Sequence, residues 1–332
     1  MSAARRKRLL LVVCALVVVL LAAAMARLML GVRIASPAEV FTVLGGGGRP
    51  SLRFMILDDR LPAVAAACLA GSALAVAGGL FQRLLRNPLA SPDVIGIGYG
   101  ASAATVAGML VWGLSGWALT GFALLGALLT AAAIMAFAAG RGDTGPRLIL
   151  SGIALGALLS AVVNLLLART DVKLAADALR WLTGSVSDAA WEPLGILAVA
   201  LVVLFALTAT LARPLALLEL GDDAARALGL RTGAARVAIV AVGAALCAAA
   251  VAVVGPLAFV SFMSHPLATR LLGGRGNLAV TALTGATLVV VSDLVASHLF
   301  GLSNGLPVGV VTGALGAPFL LWLLTRERSR TA

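Results

Sequence analysis

The chain has 332 residues, of which 61% are hydrophobic and 12% are charged, and its mean hydropathy is +1.07. That hydropathy lies far outside the range of water-soluble globular proteins and predicts an integral membrane protein. The net charge of +11 does not indicate nucleic acid binding, because the arginines are scattered among loops and form no basic stripe with aromatic residues between them.

Uncharged runs long enough to cross a bilayer, about 20 residues per helix, follow one another along the chain. They cover residues 9–26, 61–82, 148–168, 193–212, 237–264 and 299–325. Residues 94–140 have room for two crossings, and a short helix ending near His265 and the run 278–291 complete the set. A closed barrel would need alternating strands, which the sequence lacks. We therefore predict an all-α polytopic membrane protein of about ten transmembrane helices.

The polar connections around residues 27–60 and 169–192 are too short to bury a core of their own. The sequence therefore predicts a single transmembrane domain over residues 1–332. The basic N-terminus and first apolar run resemble a signal peptide. The length of the run, and the lack of a small-x-small cleavage site with a polar mature segment close behind it, favour a retained helix. With the N-terminus in the cytoplasm, most arginines fall on the cytoplasmic side, as the positive-inside rule requires. Both termini are expected in the cytoplasm.

Few ionisable groups lie inside the apolar runs. Asp293 falls toward the outer end of its run, and we interpret it as a partly hydrated helix-end residue. We interpret His265 and His298 as interfacial residues. Intramembrane enzymes need a Ser–His pair, paired Asp residues or an H-E-x-x-H helix, and none of these patterns is present. Three cysteines in apolar runs are interpreted as small hydrophobic residues: Cys14, Cys68 and Cys247.

The most charged stretch of this apolar chain is LLELGDDAARALGLRTGAAR, residues 217–236. Asp222 and Asp223 stand at the start of a possible two-turn helix, where carboxylates cap free amides, and Arg226 follows in pairing register. Gly229 supplies a C-terminal stop. Because so short a helix is unstable alone in water, it must be held by its own membrane domain or by a soluble partner.

Two more stretches, FQRLLRNPLASPDVIGIGYGA (81–101) and GLPVGVVTGALGAPFLLWLL (305–324), resemble signatures of the FecCD-type permeases. These are the membrane subunits of bacterial ABC importers for ferric siderophores, haem and cobalamin. The resemblance covers nearly the whole chain, in order, including a D-x-R-L-P motif at 58–62 and a G-x-x-x-Q motif at 78–82. Among subtypes the motifs are most similar to ferric enterobactin permeases, which work as pairs of distinct subunits.

The resemblance implies a transport subunit, not an enzyme, that imports a ferric siderophore across the bacterial inner membrane. Cobalamin or haem import by the same machinery is the alternative, and a stand-alone secondary transporter is a weaker one. The implied partners are a second permease subunit, two ATPase subunits, a substrate-binding protein or lipoprotein, and membrane lipid. ATP and Mg²⁺ would belong to the ATPase, because this chain has no G-x-x-x-x-G-K-[ST] phosphate loop. No cofactor or metal is expected on this chain.

The resemblance also implies three sites. Coupling helices at about residues 214–232 would dock on the ATPase through a Leu220, Ala224 and Leu228 side with the charged residues at its rim. The residues expected there are Leu220, Gly221, Asp222, Asp223, Ala224, Arg226, Leu228 and Gly229. Arg60 matches the first arginine of an outer R-L-P-R motif that meets acidic residues of the binding protein, and Ala63 stands in place of the second.

The third implied site is a cytoplasmic N-P-L-A turn near the inner gate, formed by Asn87, Pro88, Leu89 and Ala90. Pro fixes such a turn and Asn can cap the next helix, so a purely structural role stays open beside a gating one. The chain also departs from the family pattern, with Thr269 and Ser297 where arginines are common and Gly305 where glutamate is usual. We take these departures as support for a heterodimer whose other half supplies the lost charges.

Overall fold

The computed structural model describes residues 3–31, 33–93, 95–138, 144–298 and 306–331, and every regular element in these ranges is helical. A π-helical segment, Phe54–Arg60, continues directly into α4. The α-helices are α1 (Ala3–Met29), α2 (Pro37–Leu44), α3 (Pro50–Arg53), α4 (Leu61–Leu84), α5 (Ile97–Trp112), α6 (Gly116–Ala138), α7 (Thr144–Ala168), α8 (Val172–Thr183), α9 (Trp191–Thr210), α10 (Ala212–Glu219), α11 (Asp222–Ala227), α12 (Thr232–Val254), α13 (Val260–Leu271), α14 (Leu278–His298) and α15 (Val308–Thr331).

Within the described ranges, seven helices are long and apolar enough to cross a membrane: α1, α4 with the segment before it, α6, α7, α9, α12 and α14. The apolar α5 and the apolar part of α15, Val308–Leu323, are shorter, and α13 has 12 residues. Together these ten helices confirm the predicted all-α polytopic architecture. The two crossings predicted within 94–140 are also present, since α5 and α6 are separated by a turn with Gly113 and Gly116 in the left-handed region. The start of the last predicted run, residues 299–305, lies outside the described residues.

The uncharged run 237–264 contains one long helix and the beginning of the short helix that was predicted near His265. The helix α12 ends at Val254, and Gly255 has a φ of +72° that a right-handed helix cannot continue. Pro256 follows without a backbone N–H, and α13 then begins at Val260 and runs to Leu271, well past His265. A break therefore divides the run, and the predicted short helix is present but ends at Leu271 instead of near His265.

The helix α4 lies at the centre of the bundle and packs against α12, α13 and α14. Where α4 crosses α14, Gly71 faces Gly285, and a Cβ on either glycine would overlap the other's backbone carbonyl. Small residues permit this approach where lipid supplies no hydrophobic drive between helices. The Gly- and Ala-rich composition is thus explained by backbone contact at the core.

The helix α1 lies on the outside of the bundle, mainly against α14, and polar contacts hold it at both ends. Near its C-terminus Arg27 Nε lies 2.7 Å from Asp293 Oδ2 on α14, with side chains 11% and 3% exposed. Near its N-terminus Arg8 Nε donates to the Leu271 carbonyl at 2.9 Å. The interpretation of Asp293 as partly hydrated is therefore wrong: its carboxylate is buried and compensated by a cation on a distant part of the chain.

The polar connection after α1 folds back over the end of the bundle. Ser36 and Glu39 form a capping box at the start of α2, and the Ser36 backbone N–H donates to the Glu39 carboxylate at 2.8 Å. These hydrogen bonds lower the pKa of Glu39 below its ordinary value. Trp191 Nε1, at the start of α9, donates to the Leu57 carbonyl at the same end. This end is opposite to the one that carries α10 and α11.

Candidate functional site

Two short helices, α10 and α11, lie at one end of the bundle, between the long helices α9 and α12. Gly221, with a φ of +108°, allows the sharp bend between them. At the end of α11 Gly229 has a φ of +82° and donates to the Arg226 carbonyl, while the Leu230 N–H donates to the Ala225 carbonyl, both at 2.9 Å. This pair of bonds is a Schellman motif. The predicted helix start at Asp222 and stop at Gly229 are confirmed.

The acidic residues of α11 bind arginines instead of capping the helix amides. Asp222 Oδ1 accepts a hydrogen bond from Arg236 of α12 at 2.6 Å, and Asp223 Oδ1 accepts one from Arg226 at 3.1 Å. Gly221 occupies the cap position, where no side chain bonds to the amides. The prediction that these carboxylates cap the helix is therefore wrong, although their position near its positive end remains favourable.

Both short helices are attached to long helices of the core. Arg83 at the end of α4 binds the Glu219 carboxylate of α10 through two hydrogen bonds, of 2.6 and 3.2 Å. Asp222 and Arg236 join α11 to α12 in the same way. Leu215, Leu218 and Ala225 are fully buried in the main hydrophobic cluster. The membrane domain itself therefore holds α10 and α11, and displacement of either helix pulls directly on α4 or α12.

The remaining apolar side chains of this region are not covered. Leu220 is 64% and Leu228 60% exposed, and Ala224 is also exposed. We call these three residues the α11 patch. These exposed apolar side chains lie at one end of the bundle, close in sequence to the charged residues Asp222, Asp223 and Arg226. The region therefore presents apolar side chains with charged side chains around them. Such a surface is typical of a docking site for a soluble protein.

The N-P-L-A turn closes on itself. Asn87 Oδ1 accepts a hydrogen bond from the Leu89 N–H at 2.9 Å, and the Asn87 carbonyl accepts one from the Ala90 N–H at 3.1 Å. The next helix, α5, begins only at Ile97. The prediction that Asn87 caps the next helix is therefore wrong, because its side chain stabilises the turn around Pro88.

The G-x-x-x-Q motif holds the beginning of α13. A Cβ at Gly78 would overlap the Ser261 carbonyl, so that α4 and α13 touch through their backbones at this point. One turn later Gln82 Nε2 donates to the Phe262 carbonyl at 3.0 Å. Gly78 and Gln82 of α4 therefore fix the position of the first turn of α13 against α4.

Beside this contact lies a cavity of about 490 Å³, which sequence reasoning missed. Asp93, from the connection between the N-P-L-A turn and α5, lines the cavity and accepts a hydrogen bond from the Ser261 hydroxyl. Hydropathy does not reveal Asp93 as an interior residue, because it stands in a polar, Pro-containing connection. The available signal is the shortness of α5, whose 16 residues are too few to span a bilayer without an entering loop.

Arg60 lies inside the protein and is only 3% exposed. Its guanidinium donates to the carbonyls of Leu28 at 2.7 Å, Met29 at 3.1 Å and Arg33 at 2.8 Å. Arg60 therefore caps the C-terminus of α1, and its docking role remains a prediction.

His265 is buried as well, with Nδ1 2.9 Å from the Thr281 hydroxyl. The interpretation of His265 as interfacial is wrong.

The FecCD transport family model matches residues 15–326 of the chain. This range includes all of the helices described above except the beginning of α1 and the end of α15. The chain belongs to the FecCD transport family. The ferric enterobactin transport system permease protein FepG of Escherichia coli is 35% identical over 87% of this chain and 88% of its own length. The achromobactin transport system permease protein CbrC of Dickeya dadantii is 38% identical over 92% of this chain and 88% of its own length.

Among solved structures, a metal-chelate type ABC transporter in an inward-facing conformation matches with a TM-score of 0.84 and 28% identity. The match covers 94% of this chain and 98% of that chain. This FecCD chain is therefore a multi-pass membrane permease with the fold of an ABC transporter subunit. The family resemblance stated from the signature motifs is confirmed.

Proposed function

We propose that this chain is the permease subunit of an ABC importer that carries ferric siderophores across the bacterial inner membrane. The observation that carries the proposal is the α11 patch, an exposed apolar surface on helices tied by ion pairs to α4 and α12. The enterobactin and achromobactin relatives support a siderophore as cargo. Cobalamin and haem are the alternative cargoes within the same family.

In this proposal an ATPase subunit docks on α10 and α11, and ATP with Mg²⁺ binds to that subunit. Leu220, Ala224 and Leu228 form the contact, while Asp222, Asp223 and Arg226 lie at its rim. Closure of two ATPase subunits on ATP then moves α10 and α11, and the Glu219–Arg83 and Asp222–Arg236 pairs transmit the movement. A second, distinct permease subunit completes the path, and a substrate-binding protein or lipoprotein delivers the chelate.

The proposed orientation places the α11 end and both termini in the cytoplasm. The arginines around α10 and α11 support it, because cytoplasmic loops carry an excess of basic residues. Residues 1–332 then act as one transmembrane domain, with the Asn87–Pro88–Leu89–Ala90 turn on the cytoplasmic side of the path near the inner gate. Arg60 would contact the binding protein only after release from the carbonyls that now hold it.

Transport is tested in proteoliposomes that contain the complete transporter, with radioactive iron supplied as a ferric siderophore on its binding protein. We expect uptake that requires ATP on the ATPase side and does not require an ion gradient. Cobalamin and haem are supplied as competing cargoes. Uptake driven by an ion gradient without ATPase would instead support a stand-alone secondary transporter, and import of only cobalamin or haem would reassign the cargo.

Docking is tested by introducing charge into the α11 patch. The double variant Leu220→Asp/Leu228→Asp is expected to lose the co-purified ATPase and at least about tenfold of the uptake, because each buried aspartate must be desolvated without a partner. The control is Leu44→Asp, which changes an exposed leucine at the opposite end of the bundle. The charge reversal Asp222→Arg/Arg226→Glu is a second probe of the rim. If both changes leave the ATPase bound and uptake intact, the coupling assignment is wrong.

A further inference from the structure

Three helices begin beside the 490 Å³ cavity, whose wall includes the half-exposed Tyr99. The first turn of α5 contributes Gly98 and Tyr99, the first turn of α15 contributes Gly309, and the segment leading into α13 contributes Ala258. Non-helical backbone at membrane depth is tolerated where it lines a cavity or is buried in protein. In transporters, interrupted helices of this kind surround the ligand. The cavity therefore has the architecture of a transit site.

The helix starts give this cavity a positive electrostatic bias. Each helix N-terminus is equivalent to about half a positive charge, and it attracts anions. The effect here comes from the helix dipoles, because individual amides such as that of Gly309 already donate, in this case to the Gly184 carbonyl at 3.2 Å. Without compensation, three helix starts beside one cavity would attract and retain an anionic ligand.

Asp93 supplies the compensation. Asp93 is the only aspartate, glutamate, lysine, arginine or histidine among the described residues that line the cavity. Its carboxylate is held by the Ser261 hydroxyl in the first turn of α13, next to the positive helix end. This placement brings one negative charge to the cavity wall, beside the first turn of α13.

Uncharged polar groups on the cavity wall indicate a ligand. The Ser102 side chain on α5 is only 5% exposed, lines the cavity, and makes no hydrogen bond to another described residue. Ser160 and Asn164 on α7 line the same space. A hydroxyl or amide group that faces a cavity can hydrogen-bond to a ligand or to water. The wall is thus suited to a cargo that offers hydroxyl, amide or other hydrogen-bonding groups.

We propose that Asp93 sets the charge preference of a transit site for the chelate in this cavity. Its carboxylate offsets the three helix starts, so that an anionic chelate is held weakly enough to leave toward the cytoplasm. Release is as necessary as entry, because a path that binds its cargo too tightly does not conduct it. This inference rests on the proposed import of ferric siderophores.

The test measures equilibrium binding of two iron chelates to the purified permease–ATPase complex without nucleotide. One probe is a ferric tris-catecholate, which is triply negative, and the other is a ferric tris-hydroxamate, which is neutral. Asp93→Asn is expected to raise affinity for the anionic chelate about tenfold, since a unit charge nearby in a medium of intermediate dielectric constant contributes that much. Affinity for the neutral chelate is expected to change less than about twofold.

A reciprocal variant keeps the test decisive if Asp93→Asn is poorly folded. Asn164→Asp adds a carboxylate to the same wall and is expected to weaken binding of the anionic chelate, while Asp93→Glu, which retains the charge, should behave like the natural chain. Changes of the same direction in Asp93→Asn and Asn164→Asp, or no binding of either chelate by any variant, would overturn the inference. Absence of ATP-driven iron uptake by the natural chain would instead defeat the proposed function, so the two failures are distinguishable.

Discussion

Replacing Gly78 by valine is expected to prevent accumulation of folded protein. Even the first carbon of the new side chain would overlap the Ser261 carbonyl on α13. Overpacking in a core typically costs about 1–3 kcal/mol, and we expect a cost at or above that range because the obstacle is backbone that belongs to the central helix contact. The measurement is the amount and thermal stability of monodisperse protein in detergent.

The matched control is Gly195→Ala on α9, where an added Cβ meets no atom within 4 Å. Alanine also has the higher helix propensity, so this variant is expected to retain the yield and thermal stability of the natural chain. A Gly78→Val variant as stable as the Gly195→Ala variant would show that α4 and α13 do not need the close backbone contact seen here.

Asp293→Asn is expected to lower the free energy of unfolding by about 3–5 kcal/mol, because it leaves the buried Arg27 cation without its counter-charge. The pair lies 2.7 Å apart and anchors α1 to α14. The double variant Arg27→Met/Asp293→Leu removes both charges and is expected to recover most of the loss, since apolar replacement of a whole buried pair is often neutral or stabilising. The readout is the thermal transition of each variant in the same detergent.

An exposed ion pair provides the comparison. Arg33 and Glu39 lie 3.3 Å apart with side chains 51% and 38% exposed, and Arg33→Gln is expected to cost about 0–1 kcal/mol. Equal destabilisation by Asp293→Asn and Arg33→Gln would mean that the Arg27–Asp293 pair is hydrated in the membrane-embedded protein, contrary to its burial here.

Much of the helical architecture could be predicted, because the information is local. An uncharged run of sufficient length must satisfy its own backbone in lipid and therefore forms a helix, as the predicted spans became α4, α7 and α9. The sequence likewise predicts the end of α11 at Gly229, and this glycine adopts a left-handed backbone conformation in the structure. The position of the break at Gly255 and Pro256 could not be predicted from hydropathy, because the break leaves the hydropathy of the run 237–264 unchanged.

The individual site residues were harder to interpret from sequence. Arg60 was expected at the outer surface, and its charge alone gives no sign that three carbonyls enclose it. Asp93 was not singled out, because its polar connection resembles an ordinary loop until the chain enters the bundle. By contrast, the α11 patch of Leu220, Ala224 and Leu228 is the docking side that the family resemblance implies, and the structure leaves these side chains exposed.

The sequence by itself determined that the chain lies in a membrane, that it is helical, which family it belongs to and where α11 begins and ends. Hydropathy, helix-ending glycines and signature motifs carry this information because each is local in the sequence. Only the tertiary structure decided which charges meet. Arg27 and Asp293 are 266 positions apart, Asp93 and Ser261 are 168 apart, and Arg83 and Glu219 are 136 apart. Contacts over such distances depend on how the helices cross, and close crossings are set by the packing of small residues across the whole bundle.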